Sequence, residues 1–347
     1  MRSPATGYGH TPAAPAPLRL GSLCTGYGGL DIAVEHVLGA RMDWCAENDA
    51  YAAKVVAAHW SSVPNFGDLR TVDWRCTPPV DIVCAGFPCQ PVSNAGHRKG
   101  AADDRWLWPH IADALRWIRP RYVVLENVAA IVNRGMDAVL GSLAALGFDA
   151  VWGCYRASWA GAPHRRDRWF LLGWRHEAPA DAAGFGGRGP AVPAHPESGS
   201  RSARQEPSGR GVLAAPAADA AGAAGYGNGG APTGCGLPPV PVRSPPPRET
   251  DVDWGAYGPA IARWEHMTGR AAPYPTIRTE RGLRSSTQFV EWMQGLSGGW
   301  VTGRGLPRIA ELRLLGNGVV PQQASMALWD LKTHIPPPCC PQRPLVP

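Results

Sequence analysis

From Leu18 to Trp174, short apolar runs alternate with stretches of helical period, and that alternation admits few architectures. Leu18 to Cys24, Met42 to Ala46, Val80 to Phe87, Tyr122 to Leu125 and Trp169 to Trp174 read as strands. Between them, Leu30, Ala33, Val34, Val37 and Leu38 share one helical face, and Leu107, Ile111, Leu115 and Ile118 share another. Helices are also predicted over 50–59 and 138–146. Pro120 stops the helix before it, and Gly147 closes the one over 138–146. The repetition predicts an α/β fold, a largely parallel sheet with helices on both faces. Open sheets of this kind bind ligands at the carboxyl ends of their strands, so the residues just after each run are the first candidates for function.

Thr25-Gly26-Tyr27-Gly28-Gly29 follows the first run. Such a glycine turn lets a ligand approach the backbone, and it also suits a plain strand-to-helix turn. Glu47 and Asn48 follow the second run; a carboxylate there suits ribose hydroxyls, although alone it is more simply a solvated surface residue. Asp68 follows Gly67 and has the chemistry to accept from an adenine amino group, or to close a turn. The run over 80–87 ends in Gly86-Phe87-Pro88 and then Cys89; the next run ends at Glu126. A single strand-end cysteine is most simply an inert thiol. A thiolate beside a carboxylic acid suits attack on an electron-poor ring that is protonated as it is attacked.

The 347 residues suffice for an α/β domain and a smaller second one. None of the nine cysteines forms a C-x-x-C pair with a matching partner, so neither a zinc site nor any other metal site is expected. No apolar run approaches the roughly 20 residues that span a bilayer, and residues 1–17 read as a disordered arm rather than a leader, so a cytoplasmic protein is expected. The formal charge is +6, and the only lysines are Lys54, Lys99 and Lys332. Arginine suits phosphate and base contacts, but a GC-rich coding bias gives the same composition. From 178 to 250 the chain is Gly, Ala, Pro, Ser and Arg without a sustained period, and reads as a low-complexity insert. Short helices are predicted near Ile261 to Met267, Phe289 to Leu296 and Ser325 to Leu331, with Gly316-Asn317-Gly318-Val319 as a turn leading into the last. The residues from 334 onward form a Pro-rich tail.

Gly86-Phe87-Pro88-Cys89-Gln90 and Glu126-Asn127-Val128 resemble the Pro-Cys-Gln and Glu-Asn-Val motifs of the cytosine-5 DNA methyltransferases. Leu23 to Gly29 resembles that family's first cofactor motif, Ala46 to Asp49 its ribose-binding segment, and Gly67-Asp68-Leu69 its adenine-binding one. Ala162 to Arg168 resembles the Gln-x-Arg-x-Arg motif, and Gly316 to Val319 the last motif. The matches span 18–331 in the family's order, and the composition with the 254–270 segment suggests an actinobacterial or phage member.

The resemblance implies a Rossmann-like, S-adenosylmethionine-dependent methyltransferase sheet with a smaller, irregular target-recognition domain. It divides the chain into a catalytic domain over 18–177, a target-recognition region over 251–304 and a returning segment over 305–333. It implies Cys89, Glu126, Arg166 and Arg168 as catalytic. Cofactor contacts fall on Cys24, Thr25, Gly26, Tyr27, Gly28, Gly29, Glu47, Asn48, Asp68, Leu69, Gly86, Pro88, Asn317 and Val319. A mobile loop beginning at Gln90 and Ser93, with Arg98, Lys99 and Arg105, faces double-stranded DNA. Arg278, Arg281 and Arg284 are candidates to read bases, or to contact phosphate only. Cys24 stands where the family has Phe, His164 where it has Gln and Gly318 where Ser is frequent; altered affinity is expected, not lost activity. A monomer is expected, with a restriction endonuclease as a possible functional companion. The alternatives are an RNA cytosine methyltransferase with the same chemistry and a catalytically silent DNA-binding homologue.

Overall fold

The computed structural model describes residues 16–88, 106–175, 252–280 and 282–336. A central sheet is built from β1 (Leu18–Leu23), β2 (Ala40–Ala46), β3 (Ile82–Gly86), β4 (Tyr122–Val128), β5 (Phe148–Arg156) and β6 (Asp167–Arg175), in the order β2-β1-β3-β4-β6-β5. The first four pair in parallel, and β6 runs antiparallel to both of its neighbours. The expected largely parallel sheet is present, with the last strand reversed.

Side-chain alternation along the strands divides the core in two. Leu20, Ile82, Cys84, Val124, Phe170 and Leu172 point to one face, where α1 (Gly29–Leu38) brings Ala33, Val34 and Val37 and α8 (Pro321–Leu331) brings Ala324, Ala327, Leu328 and Leu331. Leu23, Val83, Ala85, Val123, Leu125 and Leu171 point to the other, under α3 (Trp108–Ile118) and α4 (Met136–Ala145). Helix α2 (Ala50–His59) is capped by Asp49, whose carboxylate accepts from the amides of Tyr51 and Ala52.

The structure corrects several expectations. Glu126 lies inside β4, not after it, because pairing with β6 extends the strand to Val128. Strand β5 was not expected: Gly153 and Cys154 break its apolar pattern, and cross-strand pairing to β6 holds it. Gly316 and Asn317 end a helix, α7 (Arg308–Asn317), where a turn was expected to lead into the next one. Helix α7 escaped notice because its apolar residues do not keep to one face: Ile309 is exposed while Glu311 is buried.

Beyond the sheet, α5 (Gly258–Thr268) and α6 (Thr287–Met293) pack through Trp264 and Trp292. The Trp264 Nε1–H donates to the Trp292 carbonyl at 2.9 Å, and the Trp292 Nε1–H to that of Arg270 at 3.2 Å. Between these helices stands a two-stranded ribbon, β7 (Thr276–Thr279) and β8 (Gly282–Ser285). Glu291, 1% exposed, ties down the following loop by accepting from the amides of Gly299, Val301 and Thr302 and from the Thr302 hydroxyl.

Candidate active site

The carboxyl ends of β1, β2 and β3, together with β4, open onto a cavity of about 390 Å³. The ends of β1 and β2 contribute Cys24, Thr25, Gly26, Glu47 and Asn48; the loop before β3 contributes Asp68, Leu69 and Arg70. Gly86, Pro88 and Glu126 line one side, and the returning segment closes another with Arg313, Asn317 and Val319. Of the expected cofactor contacts, Tyr27 and Gly28 do not line the cavity. Tyr27 is fully buried behind it and donates its hydroxyl proton to the Val319 carbonyl at 2.7 Å. Gly28 takes the left-handed conformation that starts α1 (φ 85°). At Gly29 the need for glycine is steric, since a Cβ there would stand 2.1 Å from the Val319 oxygen.

Glu47 is held firmly. Its two carboxylate oxygens accept from the amides of Gly26 and Asp49, each at 2.8 Å. Burial pushes its carboxyl above the ordinary range, and those two bonds oppose the shift. Asp68 is engaged by Arg70 at 2.5 Å, which holds it down at about 2. Asp49 is paired with Arg313 at 2.5 Å, fastening α7 to the strand end.

Register decides the surroundings of Glu126. Gly86 on β3 lies directly opposite it, and a Cβ on Gly86 would approach its Oε2 at 3.5 Å. The chain thus passes Glu126 three positions before Cys89. Glu126 is 6% exposed, and burial raises its carboxyl above the ordinary range, with Arg168 and then Arg166 pulling it back. The Arg168 Nε stands 3.1 Å from Glu126 Oε1. Arg166 adopts a left-handed backbone (φ 37°) and donates through Nη2 to the carbonyls of Gly316, at 3.0 Å, and of Gly318. It therefore stitches the returning segment to the β6 side of the site. His164 donates to the Met293 carbonyl at 3.0 Å and so ties the same loop to α6; burial lowers its pKa and favours the neutral ring.

Cys89, Gln90, Ser93, Arg98, Lys99, Arg105 and Arg281 lie outside the described residues, as do the arm before 16, the insert over 178–250 and the tail from 337. Arg278 and Arg284 lie on the exposed ribbon. Sequence reasoning missed Asn127 as a positioning group: its Nδ2 donates to the Phe87 carbonyl at 3.1 Å, fixing the chain just before Pro88. It also missed Ser22, Asp31 and Cys84, which line the cavity from beneath; their place inside apolar or helical runs gave no signal. Among the described residues no group of three or more His, Cys, Asp or Glu is placed to hold a metal, and no helix is long and apolar enough to cross a membrane.

The profile of the C-5 cytosine-specific DNA methylases matches residues 18–205. The chain is 33% identical over 162 residues to the type II methyltransferase M.NgoBI of Neisseria gonorrhoeae, an alignment covering 45% of this chain and 50% of that protein. It is 32% identical over 165 residues to the type II methyltransferase M.HhaI of Haemophilus parahaemolyticus, covering 46% and 50%. A phage protein, the orphan methyltransferase M.SPRI of Bacillus phage SPR, is 30% identical over 46% of this chain and 38% of its own. The chain thus spans about half the length, or less, of the curated relatives it matches. The solved structure of a Spodoptera frugiperda DNMT2 mutant shares the fold, with a TM-score of 0.53 and 15% identity over 91% of this chain and 99% of that one.

Proposed function

The chain belongs to the C-5 cytosine-specific DNA methylase family, and we propose that it transfers the methyl group of S-adenosylmethionine to C5 of a cytosine flipped out of duplex DNA. The observation that carries this reading is the register that sets buried Glu126 opposite Gly86, three residues before Cys89. C5 and C6 of a stacked cytosine are out of reach, so the base leaves the helix. The Cys89 thiolate adds to C6. Glu126, whose carboxyl burial pushes above the ordinary range, hydrogen-bonds or protonates N3, so charge does not build on the ring. Arg168 orients the Glu126 carboxyl, and Asn127 holds the Phe87 carbonyl that leads to Cys89. S-Adenosylmethionine, when bound, supplies the methyl that C5 takes. Loss of the C5 proton then expels Cys89 by β-elimination.

The lining fits that cofactor. The cavity lies within the usual size range of small-molecule sites, roughly 300–1,000 Å³. Glu47 suits two ribose hydroxyls, and Cys24, Asp68 and Leu69 suit the adenine. Thr25, Gly26, Gly29, Asn48, Asn317 and Val319 close around the remainder. The role we assign is site-specific modification in a restriction system or in phage self-protection, carried out in the cytoplasm by a monomer on double-stranded DNA.

On the ribbon, Arg278 lies opposite Leu283, and Ile277 opposite Arg284, so each face carries one guanidinium and one aliphatic group. Both strands are exposed, and a two-stranded ribbon has the width of the major groove. We assign base reading to this element.

Cys89→Ser tests the mechanism. Methylation of duplex DNA should disappear while S-adenosylmethionine binding persists, and duplex containing 5-fluorocytosine should trap the unmodified protein covalently. Normal methylation by the variant would refute the nucleophile. Bisulfite sequencing of DNA from expressing cells gives the context, and an R278A/R284A variant should blur it; an unchanged context would remove the ribbon from base reading.

A further inference from the structure

Seven carboxyl and guanidinium side chains of the described residues line the cavity: Asp31, Glu47, Asp49, Asp68, Arg70, Glu126 and Arg313. Three of the carboxylates have a protein cation. Asp49 has Arg313, Asp68 has Arg70, Glu126 has Arg168, and none of these pairs is longer than 3.1 Å. Glu47 has two backbone amides instead. A fifth carboxylate has no cation among its described partners.

That carboxylate is Asp31, which is 1% exposed. The Cys84 thiol donates to its Oδ1 at 3.1 Å, and the Ser22 hydroxyl bonds to it from β1. The Ser22 hydroxyl lies 2.9 Å from that of Thr25, so the polar floor continues into the glycine turn. Ser22, Thr25, Asp31 and Cys84 all line the cavity. A buried carboxylate supported only by neutral groups calls for a cation to share its site.

Position in the cavity says which cation. The nucleoside end is marked by Glu47, Asp68 and Leu69. The reacting end is marked by Gly86, Pro88 and Glu126, where a sulfonium methyl has to face the base. Asp31, in the first turn of α1, is bonded from β1 and β3, the two strands that stand between β2, which leads to Glu47, and β4, which carries Glu126. A helix start attracts an anion such as the α-carboxylate of an amino acid. The ammonium on the same carbon then falls within reach of the first turn.

Resting on the cofactor reading above, we infer that Asp31 is the counter-charge for the α-ammonium group at the amino-acid end of S-adenosylmethionine. Its partners Cys84 and Ser22 hold the carboxylate toward that group.

The test is equilibrium binding by calorimetry to the full chain, with three ligands. S-Adenosylmethionine and S-adenosylhomocysteine carry the ammonium; 5′-methylthioadenosine lacks the whole amino-acid end. D31N should weaken the first two by about tenfold or more and leave the third unchanged. Equal weakening of all three would make Asp31 a purely structural residue. Weakening of S-adenosylmethionine alone would assign it to the sulfonium. No weakening of any ligand would also overturn the inference. D31S repeats the comparison if D31N does not fold. Failure of the unmodified chain to bind any of the three would refute the cofactor reading itself, and this inference with it.

Discussion

As the proposed counter-charge for the cofactor ammonium, Asp31 sets stability against function. Burial raises its carboxyl from the ordinary 3.8 to about 6, opposed by the bonds from Ser22 and Cys84. The folded protein therefore holds this proton more tightly than the unfolded chain does. The stabilising effect is complete below about pH 4 and is lost as pH rises through 6. A shift of about two units corresponds to roughly 3 kcal/mol. In urea unfolding, the difference in stability between D31N and the unmodified chain should therefore shift toward D31N by about that amount between pH 4 and pH 7.5. A difference that stays flat with pH would show that Asp31 keeps an ordinary pKa when folded. Together with the binding test, this would place Asp31 among residues kept for a ligand at the expense of the fold.

At the scale of elements, the returning segment between α7 and α8 is fastened to the glycine turn by interlocking shapes. The Tyr27 ring fills the space beside Gly318, where a Cβ would stand 1.9 Å from a ring carbon. The Tyr27 hydroxyl then bonds to the next residue's carbonyl, on Val319. This accounts for Gly318 where the family frequently has Ser: with Tyr at 27 there is no room for a larger residue. G318S should cost about 1–3 kcal/mol through overpacking. Y27L in the same chain should recover much of that loss, giving a coupling energy in a double-mutant cycle. Additive losses would show that the two positions do not compete for one space. His164 has a comparable local reason, since its ring anchors the arginine loop to α6 through Met293.

At the scale of the whole molecule, the sheet depends on chain that returns from far along the sequence. Helix α8 lies against α1 and against β5 and β6, and its Ala324, Ala327, Leu328 and Leu331 complete one of the two core layers. Gln323 donates to the carbonyls of Tyr155 and Arg166, each at 2.8 Å, from the same helix. His59 stacks on Trp300 at 3.6 Å, and the Trp300 Nε1–H donates to the Tyr27 carbonyl at 2.8 Å, so the segment before α7 is also clamped to the first glycine turn. A chain ending at 251 would expose the α1 face of the sheet, with Val34, Val37 and Phe170 uncovered. It should lose the cooperative unfolding transition followed by circular dichroism, whereas the full chain keeps it. A sharp transition in the shortened chain would show that residues 18–175 fold without α8.

The sequence by itself determined the alternation of strands and helices, the motif order and part of the cavity lining, because these rest on local periodicity and on residues next to strand ends. Glycines at the first turn and Glu47 after the second run were legible for that reason. Only the tertiary structure decided where Glu126 stands, because its position depends on pairing with β3 and β6 and not on where an apolar run stops. The same holds for Asp31 and Cys84, which read as helix and strand interior until the sheet brought them to one cavity floor. Strand β5 and helix α7 were hidden because contacts elsewhere in the chain hold them and their own patterns carry little apolar period; the ribbon was hidden because its short strands are exposed and carry no apolar run. Gly318 became intelligible only beside Tyr27, 291 residues earlier in the chain, since packing between distant segments leaves no mark on local composition.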